Sequence, residues 1–338
     1  MNVEKVLVVF NDDGPENLTH EGEELEFGDL SENAEAIREA LLKQGFHASI
    51  LGLNQSNFKD FVETISKKDF DMVFNLCEGA FGLSNYELNV AALFELFDVS
   101  FTGNGPLTLG VALNKGWTKD ILRGMDVPTA ESVVADDLPF ELPEYLSFPV
   151  MVKPVSEDAS TGIDADSVVY SQEELERKID MIFKEYEQSA LIEEYIDGRE
   201  FNIAVIGNYD DVRALPPSEI DFSKYPEGQA KIISYEAKWI ETSKLYLDSP
   251  PVCPADVSKE LKEYLHATAI DAFETLECRD YARVDMRLGT DGELRVLEVN
   301  PNPDLSTDAG FARAAKAAGM DYSQLIAEII KAAALRYE

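Results

Sequence analysis

The chain has 338 residues and carries 65 acidic against 29 basic side chains, a formal net charge of −36. Such an excess of negative charge excludes bulk attraction to a nucleic acid, because phosphate backbones require clustered Lys and Arg. With 45% hydrophobic residues the chain can bury a substantial core, which excludes disorder as its main state. No apolar run approaches the roughly 18 residues of a membrane-spanning helix, so no membrane partner is expected.

The amino terminus and the cysteines predict a cytoplasmic protein. The opening residues, MNVEKVLVVF, are too short and too acidic for a signal peptide. The three cysteines are odd in number and widely spaced, which is typical of a reducing compartment and indicates neither a disulfide framework nor a CxxC metal site.

The first hundred or so residues alternate between strand and helix patterns. Apolar runs rich in β-branched residues predict buried strands, and apolar spacing of three and four residues predicts helices. The predicted strands are 4–10, 47–53 and 70–76, and the predicted helices are 34–46, 58–67 and 86–97. A polar, acidic segment occupies 11–29. This alternation predicts an open, mostly parallel α/β sheet.

The remainder of the chain predicts an α+β arrangement with an antiparallel sheet. We expect helices over 107–124, 171–187, 257–276 and 323–337. We expect strands over 148–154, 190–196, 199–208 and 232–235, followed by a hairpin within 281–299.

The most informative segment is 281–303, YARVDMRLGTDGELRVLEVNPNP, in which the Gly-Thr-Asp-Gly turn separates two alternating runs. A turn centred on its Thr and Asp pairs Arg283 with Glu298 and Asp285 with Val296. One face of the ribbon then carries Arg283, Asp285, Val296, Glu298 and Asn300. The other face is core and carries Val284, Met286, Leu288, Leu297 and Val299.

Two interpretations of the polar face are open from these residues alone. Asp285, Glu298 and the Asn300 amide at this spacing suit an oxygen-coordinated divalent cation such as Mg²⁺, with Arg283 as a permanent cation beside it. The alternative is a half-exposed hairpin with an Arg283–Glu298 ion pair. The following NPNP ends the strand abruptly and favours the first interpretation.

The motif RVDMRL…GELRVLEVNPNPDLS resembles the metal-binding hairpin of ATP-grasp carboxylate–amine ligases, and most closely that of the D-alanine–D-alanine ligase family. Other motifs follow the family's order across nearly the whole chain. FDMVFNLCEGAFG and VSFTGNGPLTLGVALNKGWTKDILRGMDVPTA resemble the end of its first domain and its entry helix. FPVMVKPVSEDASTGI resembles its phosphate-binding strand and loop, LIEEYIDGREFNIAVIG its nucleotide hinge and YEAKW its late Lys motif.

This resemblance implies an ATP-grasp architecture, α/β plus α+β. The parts would be an N-terminal open parallel α/β domain (1–105), a central lid subdomain (106–192) and a C-terminal antiparallel-sheet domain (193–338). It implies an ATP-dependent ligase that joins a small-molecule carboxylate to an amine through an acyl phosphate. The implied cofactors are ATP and Mg²⁺, with two ions expected and Mn²⁺ as an alternative. Relatives are often dimers, which leaves a homodimer open.

The resemblance also implies a role for each matching residue. Three lysines would contact phosphates, and the amides of 160–162, within a lid loop 156–162, would close over them as an anion nest. Glu193 would accept from the adenine amino group and Glu200 from the ribose hydroxyls. The residues implied to bind ATP are Lys115, Lys153, Ser160, Thr161, Gly162, Glu193, Glu194, Tyr195, Ile196, Glu200 and Lys238.

The hairpin residues receive the remaining implied roles. Asp285, Glu298 and Asn300 align with the family's metal ligands. Arg283 aligns with the catalytic Arg that stabilises the charge developing on transfer.

The sequence departs from the family where the amino acids would bind. Asn11-Asp-Asp-Gly replaces the Gly-rich loop after the first strand, Glu78 replaces a His, and Asp304 replaces a Gly of the oxyanion site. Tyr235 and Asn302 are further pocket candidates. The nucleotide half is therefore retained and the amino-acid half is altered, with added acids that favour a cationic or amine-rich acceptor.

Three alternative functions each require features that differ from those of this interpretation. A homologue that binds ATP without ligase activity would not require both acids and Arg283. A nicotinamide-dependent oxidoreductase would require GxGxxG after the first strand, where this chain has NDDGPEN. Another ATP-grasp branch, such as a glutathione-synthase-like or carboxylase enzyme, is less favoured by the NLCEG, TGNGP and NKGWTK series.

Overall fold

The computed structural model describes residues 1–12, 19–20, 23–24, 30–157, 160–226 and 228–337. Most of the acidic segment 11–29 lies outside these residues, as do Asp158 and Ala159 of the predicted lid loop. None of the described helices is both long and apolar enough to cross a membrane.

The amino-terminal part is the predicted parallel α/β sheet. Its strand order is β4-β1-β5, with both neighbours parallel to β1. Because the carboxyl ends of parallel strands meet at one edge, β1 and β5 both direct their following loops toward that edge. The elements are β1 (Lys5–Asn11), β2 (Thr19–His20), β3 (Glu23–Glu24), α1 (Leu30–Lys43), β4 (His47–Leu53), α2 (Phe58–Lys67), β5 (Met72–Asn75), the 3₁₀ turn Ser84–Tyr86 and α3 (Glu87–Leu96).

The central part is an antiparallel sheet of order β6-β9-β7-β8, covered by α6. The predicted boundary between residues 192 and 193 falls inside β9, and the domain limits stay predictions. The elements are α4 (Pro106–Leu113), α5 (Lys115–Gly124), β6 (Ser132–Ala135), β7 (Val150–Pro154), the 3₁₀ turn Ala165–Ser167, β8 (Val168–Val169), α6 (Gln172–Glu185) and β9 (Ala190–Glu194).

The single helix predicted over 107–124 is wrong, because the chain forms two helices with Asn114 between them. Asn114 has an extended backbone, and its side chain accepts a hydrogen bond from the Trp117 amide at 3.0 Å. An Asn in this conformation satisfies a helix N-terminus better than it continues a helix. The break starts α5 at Lys115.

The carboxyl-terminal sheet has the order β13-β12-β10-β14-β15, with β11 paired to β10. One face packs on α9 through Phe201, Val284 and other apolar residues. The elements are β10 (Gly198–Gly207), the 3₁₀ turn Tyr209–Asp211, β11 (Arg213–Ala214), β12 (Ser218–Ile220), α7 (Tyr235–Trp239), α8 (Lys244–Asp248), β13 (Pro251–Val252), α9 (Lys259–Thr275), β14 (Asp280–Gly289), β15 (Leu294–Asn300), α10 (Gly310–Ala317) and α11 (Tyr322–Leu335).

The strand predicted over 232–235 is wrong, since residues 231–234 form no strand and Tyr235 begins α7. The hydroxyl of Ser234 accepts from the Ala237 amide at 3.2 Å and so caps that helix. Local capping therefore outweighs the short apolar pattern.

The predicted hairpin register is also wrong. Asp285 lies directly opposite Glu298, and Arg283 opposite Asn300. The turn is longer than expected, because the Gly289 amide donates to the Glu293 carbonyl at 2.9 Å. A register shift then leaves Leu297 as an extra residue in β15, a β-bulge. Val296, 0% exposed, consequently belongs to the core face, and half-buried Leu297 does not.

Candidate active site

The sheet register brings a row of polar side chains onto one face of the carboxyl-terminal sheet. Ser218 pairs with Asn202, Asn202 with Asp285, and Asp285 with Glu298, across four adjacent strands. Directly paired residues point to the same face, so these four side chains form a continuous line. Arg283 lies two residues from Asp285 on β14 and therefore shares that face.

Asp285 is the most highly connected carboxylate of this row. The Arg283 guanidinium donates to both of its oxygens, with Nε–Oδ1 and Nη2–Oδ2 distances of 2.8 Å each. The Asn202 amide donates to Oδ1 at 2.8 Å, and the Asn300 amide donates to Oδ2 at 3.1 Å. Sequence reasoning paired Arg283 with Glu298, whereas its bidentate partner is Asp285.

Glu298 lies in a strongly positive environment. Burial alone would raise the pKa of its carboxyl, but neighbouring cations outweigh burial and lower that pKa to about 2. In order of effect, these cations are Lys115, Lys153, Arg283 and Lys238. Glu298 is therefore ionised throughout the physiological range, as a metal ligand must be.

Burial also opposes the charge of Arg283. By itself it lowers the pKa of Arg283, but surrounding carboxylates outweigh it and raise that pKa above its usual value. These carboxylates are Asp285, Glu298 and Asp304. Arg283 is thus a permanent cation between the predicted metal ligands and the predicted amino-acid pocket.

The chemistry of these side chains fits a magnesium site. Asp285 and Glu298 face each other across the hairpin, and the Asn300 amide contacts both, reaching Glu298 Oε1 at 3.3 Å. Carboxylate and carboxamide oxygens are ligands that Mg²⁺ prefers. Among the described residues, no group of three or more His, Cys, Asp or Glu is placed to hold a metal ion. The candidate ligand set is therefore two acids and one amide.

A second charged centre lies at the carboxyl end of β9. Glu193 is 3% exposed, and its two oxygens contact Lys119 Nζ at 2.7 Å and Lys153 Nζ at 2.6 Å. Burial raises the pKa of Glu193, but the two ammonium groups outweigh it and lower that pKa to about 2. The predicted adenine acceptor thus already binds the predicted phosphate lysine.

Lys119 is the residue that sequence reasoning missed here. It is 1% exposed on α5, one helical turn after Lys115. A spacing of four residues places both side chains on the same side of α5. This spacing from Lys115 is the feature of the sequence from which Lys119 could have been predicted as a site residue. Lys115, also buried, donates to the Glu157 carbonyl and lines a small cavity with Glu298 and Asn300.

The depressed pKa of Glu193 predicts an acid-labile contribution to stability. This contribution is complete above the ordinary carboxyl pKa of 4.5 and is lost as pH falls from there toward 2. In E193Q, urea unfolding midpoints should therefore fall less steeply between pH 5 and pH 3 than in the wild type. E194Q, which alters the half-exposed neighbour, is the matched control and should keep the wild-type slope. Equal slopes for E193Q and the wild type would contradict the ion-pair assignment.

The other hinge residues are held by backbone and by Arg287. The Glu194 amide donates to the Glu131 carbonyl at 2.9 Å, and the Tyr195 hydroxyl accepts from the Lys231 amide at 2.8 Å. Arg287 donates to the Ile196 carbonyl at 3.1 Å.

Glu200 is buried on the polar face and receives a hydrogen bond from Arg287. Burial raises the pKa of Glu200 above its usual value, although the charge of Arg287 opposes this effect. Because Glu200 is two residues from Asn202 on β10, its side chain lies on the same face of the sheet as the row of polar side chains.

The backbone of the described part of the lid loop is constrained at Ser160 and Gly162. Gly162 has a positive φ of 75°, and a Cβ there would lie 2.6 Å from Pro154 Cγ, so no larger residue fits. Ser160 also has a positive φ, and its carbonyl accepts from the Ile163 amide at 3.0 Å. Thr161 lies between them, half-buried.

α7 carries the late Lys motif. The Tyr235 amide donates to the Ile163 carbonyl at 3.0 Å, which fixes the start of α7 against the loop. Lys238 Nζ lies 5.3 Å from the Trp239 ring centroid, and its charge acts on Glu298.

The predicted amino-acid pocket lies where the first sheet meets the hairpin. The Asn11 side chain accepts from the Glu78 amide at 3.0 Å, which joins the loops after β1 and β5. The Asn302 amide donates to the Cys77 carbonyl at 2.9 Å and to Glu87 at 2.8 Å. Asp304 accepts from the Ser306 amide at 2.8 Å and acts on Arg283. Of the replaced family positions, Asp304 therefore acts electrostatically on Arg283, and Glu78 is joined to the loop after β1.

Comparison with known proteins identifies relatives over most of the chain. The family model described as "D-ala D-ala ligase C-terminus" matches residues 127–331. The uncharacterized protein y4sG of Sinorhizobium fredii is 38% identical over 267 residues, 79% of this chain and 75% of that protein. The D-alanine–D-alanine ligase of a Marinomonas species is 33% identical over 298 residues, 87% of each chain.

Solved structures agree on the fold. The crystal structure of D-alanine–D-alanine ligase from Bacillus anthracis complexed with ATP superposes with a TM-score of 0.74 at 23% identity, covering 99% of this chain and 98% of that one. A second structure of the Bacillus anthracis enzyme has the same TM-score at 24% identity. The predicted ATP-grasp fold is confirmed, and the chain belongs to the D-alanine–D-alanine ligase family of ATP-dependent ligases.

Proposed function

We propose that this protein forms an amide or peptide bond between a carboxylate, an amino acid by family likeness, and an amine other than D-alanine. ATP would be consumed through an acyl phosphate, giving ADP and phosphate. The observation that carries the proposal is the pairing of Asp285 with Glu298 beside Arg283, within reach of the charges of three lysines. A protein that only bound nucleotide would have no use for both acids and the Arg.

Asp285, Glu298 and Asn300 would hold the Mg²⁺ ions of the family. When bound, Mg²⁺ neutralises phosphate oxygens and so lowers the barrier to phosphoryl transfer. The number of ions stays a prediction, as does Mn²⁺ as an alternative.

The lysines would hold the phosphates against the field of a chain with a net charge of −36. Lys153 and Lys119 converge on Glu193, so a nucleotide placed there meets ammonium groups already gathered in one place. Lys115 and Lys238 add positive charge from α5 and α7. Such prearranged charges stabilise a transition state without reorganising during the reaction.

The reaction would run in two transfers. A substrate carboxylate oxygen attacks the γ-phosphorus, ADP leaves, and an acyl phosphate forms. A neutral amine then attacks the acyl carbon, phosphate leaves and the amine loses one proton. Arg283 would stabilise the negative charge on the tetrahedral oxygen, and the loop 156–162 would exclude water that hydrolyses the acyl phosphate.

The altered pocket supports a change of substrate. Glu78 and Asp304 stand where the resemblance implies a His and a Gly, and Glu87 contacts Asn302 nearby. Asp304 adds negative charge near Arg283, and Glu78 and Glu87 add it near Tyr281. This charge disfavours a second carboxylate and favours an amine with additional positive charge. A cytoplasmic location and a homodimer stay predictions.

A substrate panel tests the proposed function. Pairs of carboxylates and amines, including D-alanine and basic amino acids, are incubated with ATP and Mg²⁺ and analysed by mass spectrometry. We expect a product whose mass equals both substrates minus one water, with one phosphate released per product. D-alanyl-D-alanine as the preferred product would contradict the altered pocket. Tight ATP binding with no product from any pair would favour the nucleotide-binding homologue instead.

A further inference from the structure

Asp285 has no unused lone pair to offer a metal ion in this structure. A carboxylate presents about four lone-pair directions. Within the described residues, Asp285 accepts two hydrogen bonds from Arg283, one from Asn202 and one from Asn300. A cation that takes Asp285 as a ligand must therefore displace at least one of these donors.

Two of the donor residues, Arg283 and Asn300, are poorly suited to keep their hydrogen bonds to Asp285 once a metal ion binds. Arg283 is a cation, so an arriving metal ion repels it, and its long side chain can swing away. Asn300 is itself a candidate ligand, and its NH₂ group now points at both acids, so the amide must turn to present its oxygen. Both residues therefore have a reason to change partner when the metal binds.

Asn202 is neither a cation nor a candidate metal ligand. It is neutral, it lies on β10 directly opposite Asp285, and its amide donates to Oδ1 at 2.8 Å. It approaches from the strand on the far side of Asp285 from Glu298, so it leaves the space between the two acids open. A hydrogen bond from this direction fixes the carboxylate orientation without occupying the metal position.

We propose that Asn202 is a positioning residue that holds Asp285 in place for the divalent cation while Arg283 exchanges away. This inference rests on the proposed metal-dependent function. Residues that orient metal ligands in this manner typically contribute about 10- to 100-fold to metal affinity. Asn202 would act through Asp285 and would not touch the substrates.

Ser218 provides a matched control in the same row. It pairs with Asn202 on the next strand and is 2% exposed, and its hydroxyl has no hydrogen-bond partner among the described residues. Removing that hydroxyl deletes no hydrogen bond among the described residues, so S218A should leave the polar face intact. It reproduces the disturbance of a buried substitution without the loss of a donor.

The experiment measures metal binding rather than turnover. Mn²⁺ is titrated into full-length protein saturated with AMP-PNP, and bound ion is read from the loss of the free Mn²⁺ electron paramagnetic resonance signal, with a nucleotide-only blank. We expect N202L, which keeps the side-chain shape and removes the donor, to weaken Mn²⁺ binding about 10- to 100-fold. N202Q, which keeps the amide donor on a side chain long enough to reach Asp285, should recover part of that affinity.

The outcomes separate this inference from the proposed function. If S218A keeps wild-type Mn²⁺ affinity and N202L keeps the wild-type melting temperature, the lower Mn²⁺ affinity of N202L is due to the missing hydrogen bond. An unchanged Mn²⁺ affinity in N202L would overturn the role of Asn202 while leaving the metal site in place. Wild-type protein that binds no Mn²⁺ would overturn the metal site itself. If N202L fails to fold, N202A takes its place as the variant without a donor. N202Q that then binds Mn²⁺ as weakly as N202A would overturn the inference.

Discussion

Replacing Glu298 with Gln should reduce ATP-dependent phosphate release by about 100-fold or more, because metal stabilisation of phosphoryl transfer is worth several kcal/mol. Glu298 faces Asp285 directly, and neighbouring cations lower its pKa to about 2, so the wild-type side chain is an anion at neutral pH. The neutral amide of Gln keeps the shape and loses the charge that the metal requires. Steady-state phosphate release across a Mg²⁺ series measures the effect.

E293Q is the matched control for this variant. Glu293 is exposed in the turn of the same hairpin, so the same chemical change there should leave phosphate release unaltered. Excess Mg²⁺ should partly restore E298Q if the defect lies in metal binding. Wild-type phosphate release from E298Q at limiting Mg²⁺ would remove Glu298 from the metal site.

Replacing Lys153 with Ala should raise the Kd for ATP by about 10- to 100-fold, the equivalent of one charge-assisted hydrogen bond. Lys153 is buried, and its ammonium group contacts Glu193 at 2.6 Å while acting on Glu298. Its loss removes one cation of the proposed phosphate site and leaves the buried Glu193 with Lys119 alone. Isothermal titration with ATP and Mg²⁺ measures the affinity.

The same substitution on an exposed helix separates charge loss from local binding. Lys184 of α6 pairs with Asp180 on the surface of the central part, and K184A should bind ATP like the wild type. K153A should also unfold at a lower urea concentration, because a buried carboxylate has lost one of its two partners. An ATP affinity equal to that of the wild type would refute the phosphate role of Lys153 even if stability fell.

The two charged centres explain how an acidic protein can receive a polyanion. Glu193 contacts Lys119 and Lys153, and Glu298 lies within the electrostatic influence of Lys115, Lys153 and Lys238. In each case a carboxylate lies among ammonium groups and offsets the repulsion between them before nucleotide arrives. The ammonium groups would otherwise pay the full cost of burial without a partner.

In the hairpin, sequence periodicity predicted which charged residues share a face but did not predict which residues pair across the strands. Alternation along residues 281–299 identified Arg283, Asp285 and Glu298 as partners on one polar face, and the register places them there. The pairing itself was wrong, because a longer turn and a bulge at Leu297 shift β15 against β14. Bulges depend on the packing of both strands, which the residues of one turn do not specify.

The parallel amino-terminal sheet, the polar face of the hairpin and the family were all predictable from the amino-acid sequence. These follow from local periodicity and from short motifs, in which the informative residues are neighbours along the chain. Three contacts were not predictable in this way: Lys119 with Glu193, Arg283 with Asp285, and Asn202 with Asp285. The contacts of Lys119 and of Asn202 join elements far apart in the chain, so they depend on sheet order and helix packing. Arg283 and Asp285 are two residues apart on β14, but which acid Arg283 binds depends on the register between β14 and β15.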